Sequence, residues 1–273
     1  MAITPQDLQL ILIIPKSIEI AIFTILVVLL WKRLMAKPPE QRYILNKLFI
    51  FSFICWAIYM LCDVILYNLA AVPFLDVAGD VASEQTAISG YPSDYPEIAV
   101  SQVLRDIAMV SGFLMTYAYL ASALVIKNGE MWTREHLFKK HILTVIFAIL
   151  VIVLVSGDQI GVHKVGDEVW VKEKWGTIQG ALSLLIIVVF LVVSALLFFL
   201  TVSKMGESDP AFRKRTMMIG LGILVMALGG IFWMVIGISN SISPYTNETQ
   251  VVFQFIGHGI WTLSPILIFN GLK

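Results

Sequence analysis

The chain has 273 residues and no net charge; 58% of it is hydrophobic and only 14% is charged. A soluble domain keeps its surface wet with roughly a quarter of charged residues, so a soluble globule is excluded. The charges cluster between long apolar runs, the pattern of a protein that crosses a membrane several times.

The N-terminus, Met1-Ala2-Ile3-Thr4-Pro5-Gln6-Asp7, has neither a basic lead nor a small-residue cleavage site. The first apolar run is therefore expected to act as its own insertion signal. Runs long enough to cross about 30 Å of hydrocarbon number seven, at about residues 8–31, 48–72, 103–126, 141–156, 176–202, 216–239 and 251–270. The fourth is the shortest, and Lys139 and Lys140 at its start can snorkel to lengthen it. The expected fold is an all-α, seven-helix transmembrane bundle forming one domain over residues 1–273.

The loops set the expected orientation. Lys32, Arg33, Lys37, Arg42 and Lys47 follow the first span; Lys127, Arg134, Lys139 and Lys140 follow the third; Lys204, Arg213, Lys214 and Arg215 follow the fifth. With Lys273 they fall on one side, against Lys164, Lys172 and Lys174 on the other. The positive-inside rule then puts the N-terminus outside and the C-terminus inside. The expected outer side is acidic, with Asp76, Asp80, Glu84, Asp94 and Glu97 in a long second loop, and loops of that length are often functional. In the fourth loop, apolar residues alternate around Gly166-Asp167, which predicts a small external β-hairpin. Asn247-Glu248-Thr249 in the sixth loop has the pattern of a glycosylation acceptor.

Two further local signals concern helix ends and thiols. Asp209-Pro210 predicts a helix start, with the acid as N-cap and proline at the first helical position. Pro210-Ala211-Phe212-Arg213 echoes Pro39-Glu40-Gln41-Arg42 and suggests two three-helix units flanking the fourth helix. Cys55 and Cys62 lie about two helical turns apart, on the order of 10 Å, beyond disulfide reach. They are expected to be free, buried thiols.

Five formal charges fall within or at the edge of the spans: Lys16, Glu19, Asp63, Arg105 and Asp106. Each costs roughly 2.5–3.5 kcal/mol at mid-span, so pairing or a wet cavity is expected. At about 1.5 Å per residue, Lys16 lies about 12 Å into the first helix and Glu19 about 16 Å. Asp63 lies about 14 Å from the outer end of the second by the same rise. Lys16 and Glu19 share a helix face and can form a local ion pair beside Pro15, or half of a site shared with other helices. Arg105 and Asp106 either mark the outer water boundary of the third span or belong to that site. In the seventh span Gln254, His258, Trp261 and Pro265 form one helical stripe. Gln179, Asn68, Tyr67 and Trp233 fall at similar depth. The expected ligand-binding set is Lys16, Glu19, Asp63, Arg105, Gln179, Gln254, His258 and Trp261, lining an outward-facing cavity. Gly222 with Gly229, and Gly230 with Gly237, are expected to permit close helix packing.

A retinal protein would need a lysine in the middle of the seventh span, and there is none before Lys273. Arg213-Lys214-Arg215, followed by Thr216-Met217-Met218-Ile219-Gly220-Leu221-Gly222 and the apolar run to Ile231 after a short Pro-containing loop, resembles the fifth-to-sixth helix junction of prokaryotic seven-transmembrane sensor regions. Those regions stand N-terminal to histidine kinases. The resemblance implies a stimulus read by the bundle. The sequence lacks the kinase or other output domain, so a separate cytoplasmic signalling partner is implied, reached through the basic loops at residues 31–47 and 204–215. A proton- or ion-coupled transporter is the competing expectation, because embedded acids and a histidine suit a relay. No catalytic motif, metal-ligand set or cofactor site stands out, so no enzyme is expected. The expected location is the cell membrane, multi-pass, with the lipid bilayer as partner and no nucleic acid. Oligomeric state is left open.

Overall fold

The structure is a computed structural model. It describes residues 5–38, 43–69, 86–87, 96–140, 142–155, 160–165, 168–173, 178–204, 209–242 and 245–273. The acidic loop residues Asp76, Asp80, Glu84 and Asp94, the tetrapeptide at residues 39–42 and the Gly166-Asp167 turn lie outside the described residues.

Among the described residues, eight α-helices follow in order: α1 (Pro5–Met35), α2 (Ile44–Val64), α3 (Pro96–Asn128), the single turn α4 (Glu130–Thr133), α5 (Ile142–Val155), α6 (Ile178–Lys204), α7 (Pro210–Ile242) and α8 (Asn247–Leu272). A π-helical turn, Ile65–Leu69, prolongs α2. Six of these helices are long and apolar enough to cross a membrane: α1, α2, α3, α6, α7 and α8. That makes the chain a multi-pass membrane protein. With 14 residues, α5 is apolar apart from Thr144 but spans only about 21 Å at 1.5 Å per residue.

The helices run past the apolar stretches that predict them, because the flanking charges are helix residues too. Lys32 and Arg33 form the last turn of α1. At the start of α7 the Asp209 carboxylate accepts from the Phe212 N–H at 2.9 Å, with Pro210 first in the helix, the arrangement expected for that pair. The third helix begins at Pro96, not at residue 103. Arg105 and Asp106 therefore lie within a helix, and Arg105 is buried.

In the bundle, α1 packs between α2 and α8, α8 against α7, α7 against α6, and α3 against both α2 and α6. Phe23, Phe49, Phe53, Trp56, Met115, Tyr119 and Phe198 fill the common core. The outward faces of the long helices carry exposed aliphatic side chains, Ile, Leu or Val on each, as lipid-facing surfaces do. Beside the helices, β2 (Ile160–Val165) pairs antiparallel with β3 (Glu168–Glu173), with His163 opposite Trp170. The short β1 (Thr86–Ala87) pairs with β2 on its other edge. Cys55 and Cys62 are both free and buried.

Two reciprocal contacts fix how α7 lies on α8. A Cβ at Gly229 would run into the Trp261 indole, and one at Gly257 into the Trp233 indole. Each helix thus offers a glycine and, four residues on, a tryptophan. The two pairs interlock, so the bare backbone of one helix receives the ring of the other. Nearer the basic end, Gly222 faces the Ser264 carbonyl and Ile268. Close packing of this kind holds helices together where lipid offers no hydrophobic drive. Gly230 faces Val188 of α6 instead, while Gly237 has open space around it, so packing accounts for three of the four glycines paired by their seven-residue spacing.

Candidate functional site

The polar side chains of α1 reach across to two other helices. Lys16 and Glu19 project from one face, as a three-residue spacing requires. On α2, Trp56 and Asp63 share a face two turns apart. Because α1 and α2 run antiparallel, the deeper residue of one meets the earlier residue of the other. Lys16 Nζ lies 2.6 Å from Asp63 Oδ2 and donates to Asn68 Oδ1 at 3.2 Å. Trp56 Nε1 donates to Glu19 Oε1 at 2.5 Å.

The other carboxylate oxygen of Glu19 belongs to α8. His258 Nδ1 lies 2.7 Å from Glu19 Oε2, and His258 Nε2 lies 3.2 Å from Gln254 Oε1. As oriented, Gln254 presents its carbonyl to Nε2, so Nε2 carries a hydrogen and donates it. One proton is then shared between Oε2 and Nδ1, either as a carboxylate facing an imidazolium or as a carboxylic acid facing a neutral ring. Both carboxylate oxygens of Glu19 are occupied, as burial demands.

Aromatic rings wall the network. Trp56 stacks on Tyr59 at 4.8 Å between centroids and meets Trp261 edge-on at 4.9 Å. The His258 ring lies 5.7 Å from both Trp233 and Trp261. The interlocked Gly–Trp pairs therefore do more than join α7 to α8: they press two indoles against the histidine. Trp233 Nε1 is buried with no hydrogen-bond partner among the described residues.

Exposure rises along the network. Glu19 is 0% exposed, Lys16 and His258 are buried, the Asp63 side chain is 14% exposed, and Asn68 and Gln254 are half-buried. The polar residues open away from the basic end of the bundle. At that end, Arg33 donates to the carbonyls of Leu272 and Lys273 at 3.0 and 2.7 Å. Fourteen residues separate Glu19 from Arg33 on α1, and fourteen separate His258 from Leu272 on α8. The two helices are thus parallel and in register from the polar network to the basic end, about 21 Å away at the helical rise.

Of the residues expected to gather at one site, Lys16 contacts Asp63, and Glu19, His258 and Gln254 are joined by direct contacts; the two sets meet on one face of α1, and Trp261 packs on His258. Arg105 sits on α3, which packs on α2 and α6; beside it, Asp106 accepts from Gln102 at 2.9 Å. Gln179 lies in the first turn of α6, and its side chain is outside the described residues. Trp56 is the member that sequence reasoning missed. Within an apolar run an indole reads as packing, and the only signal is its seven-residue spacing from Asp63. No group of three or more histidines, cysteines or acids able to hold a metal ion occurs among the described residues. Compared with known proteins, the chain matches no family model, no curated protein and no solved structure.

Proposed function

We propose that the protein is a receptor-like sensor of the cell membrane, built from seven spans with the N-terminus outside and the C-terminus inside. α5 serves as the fourth span, lengthened by Lys139 and Lys140 at its inner end. The polar network between α1, α2 and α8 takes a small or membrane-derived polar ligand from the outer side. The change is passed to a separate cytoplasmic partner at the basic face.

The observation that carries this reading is the buried Glu19–His258 contact between the first and last helices. Buried ionic groups contribute little net stability, since their desolvation offsets their attraction. Their best-attested use is to select one arrangement of helices over another, which is what a switch needs. The in-register run of α1 and α8 to Arg33 and Leu272 gives such a switch a stiff path to the inner face.

A specific observation also favours the transporter reading: the contact between Glu19 and His258 holds one transferable proton, as a proton relay requires. One pair of measurements separates the two. Protein released gently from its native membrane is weighed by native mass spectrometry, alongside Glu19→Gln and Asp63→Asn variants. The same proteins are reconstituted into vesicles containing a pH-sensitive dye. A bound small molecule present in the wild type and absent from the variants, with tight vesicles, supports the sensor. Proton flux abolished by Glu19→Gln, with no bound molecule, supports the carrier and sinks the sensor.

A further inference from the structure

At the opposite end of the bundle, α1, α2, α3, α7 and α8 surround a cavity of about 280 Å³. Its polar lining is one-sided: Arg33, Lys37 and Arg215 bring positive charge, and Tyr43, Asn46 and Thr216 bring neutral hydrogen-bonding groups. No carboxylate is among its described lining residues. Its remaining wall is apolar, including Leu34, Ile126 and Ile219. Arg33 is positioned by its bonds to the backbone oxygens of Leu272 and Lys273, and Arg215 precedes the buried Thr216 on α7.

We infer that this cavity is a binding site for the phosphate-bearing headgroup of an anionic phospholipid. Three cations with neutral donors, and no acid in the described lining, suit a phosphate, which accepts several charge-assisted hydrogen bonds at once. The volume lies at the lower end for small-ligand sites, roughly 300–1,000 Å³. It suits a headgroup and excludes a whole lipid, so the tails would stay along the leucine and isoleucine side. A basic pocket between helices at the level of the headgroups is where anionic lipids are held in membrane proteins. A soluble phosphate ester shares the charge chemistry but makes no use of the apolar wall. This inference is independent of the sensor reading, because it concerns other residues at the other end of the bundle.

The test uses the full chain in nanodiscs of phosphatidylcholine mixed with phosphatidylglycerol, with native mass spectrometry counting the lipids retained on release. Wild type is expected to keep one phosphatidylglycerol in preference to phosphatidylcholine. The double variant Lys37→Gln/Arg215→Gln, whose changes avoid the core, is expected to lose that preference at least tenfold with an unchanged melting midpoint. Lys204→Gln, an exposed cation at the end of α6 outside the cavity lining, should keep the preference and so exclude a general charge effect. Equal retention of both lipids by the wild type, or an undiminished preference in the double variant, would overturn the proposal. Displacement of the retained lipid by millimolar glycerol phosphate would overturn the lipid assignment in favour of a soluble phosphate ester.

Discussion

Glu19 of α1 and His258 of α8, 239 residues apart in the chain, meet at 2.7 Å. Both groups lie too deep for bulk water to satisfy them: Glu19 is fully buried and His258 nearly so. The pair closes the bundle, tying its first helix to its last, and Trp56 and Gln254 orient the two groups from either side. Coupling between them is therefore expected to exceed that of an ordinary contact. In a double-mutant cycle with Glu19→Gln and His258→Gln, each single change should destabilise the protein. The double change should cost less than the sum, by about 1–3 kcal/mol. Reversible unfolding in mixed micelles measures this; additivity within about 0.5 kcal/mol would mean that the two groups act separately.

The Lys16–Asp63 pair makes a sharper sign prediction. Removing one partner of a buried pair leaves the other charge uncompensated, at about 3–5 kcal/mol. Removing both replaces two desolvated charges with groups that need less solvation. Lys16→Met should therefore lower the melting midpoint strongly, and Lys16→Met/Asp63→Asn should recover most of the loss. The Asp63 side chain is 14% exposed against 3% for Lys16, so water relieves a carboxylate deprived of Lys16 better than an ammonium that keeps its bond to Asn68 but loses Asp63. Asp63→Asn alone should then be the more damaging of the two single changes. Thermal melts of the three variants read both orderings, and a double variant no more stable than its worse parent would show that charge pairing is not the cause.

Glycine positions on α7 separate packing from propensity. Gly229→Ala drives a methyl group into the Trp261 ring, and overpacking costs about 1–3 kcal/mol. Gly237→Ala meets nothing within 4 Å and should stabilise the helix by up to about 1 kcal/mol through propensity alone. The two substitutions, identical in chemistry, are expected to move the melting midpoint in opposite directions. Since Trp261 packs on His258, Gly229→Ala should also change tryptophan fluorescence, whereas Gly237→Ala should leave it as it was.

How far the sequence reveals this arrangement depends on whether a feature is local. Apolar runs are local, and so are helix starts: Asp209-Pro210 announces its cap because the acceptor lies three residues from its donor. The charges of the polar network are legible for a different reason. Lys16, Glu19 and Asp63 interrupt hydrocarbon runs in which each charge is costly. Their partners are harder to read, because partner choice is a matter of which helices are neighbours. Nothing local says that α1 lies between α2 and α8, or that Trp56 turns its N–H toward Glu19. Arg33, Lys37 and Arg215 pose the reverse difficulty. The proposed orientation already calls for cations at that end, and the cavity between them is what distinguishes a site from an orientation signal.

The proposed threading of the chain is itself open to a direct check. In a background lacking Cys55 and Cys62, single cysteines replace Lys47, Glu168 and Lys214, each near one of three different inter-helix segments. A membrane-impermeant maleimide is applied to intact cells, then again after permeabilisation. With seven spans and the N-terminus outside, only Glu168→Cys should react on intact cells, because β3 then lies outside while the segments after α1 and α6 lie inside. If α5 does not cross, the sides of everything after it reverse and α8 can no longer run parallel to α1: Lys214→Cys should then react and Glu168→Cys should not, with Lys47→Cys still protected, a pattern that would overturn the packing of the bundle as well as the seven-span threading. If instead the whole bundle is inverted, Lys47→Cys and Lys214→Cys should both react on intact cells. The three patterns are mutually exclusive, because α5 alone decides whether the segments before and after it share a side. The length of α5 makes the experiment worth doing: at about 21 Å by the helical rise it needs its basic lead, Lys139 and Lys140, to reach the inner headgroups. Replacing both with alanine should then weaken the seven-span labelling pattern without altering the label at Lys47→Cys.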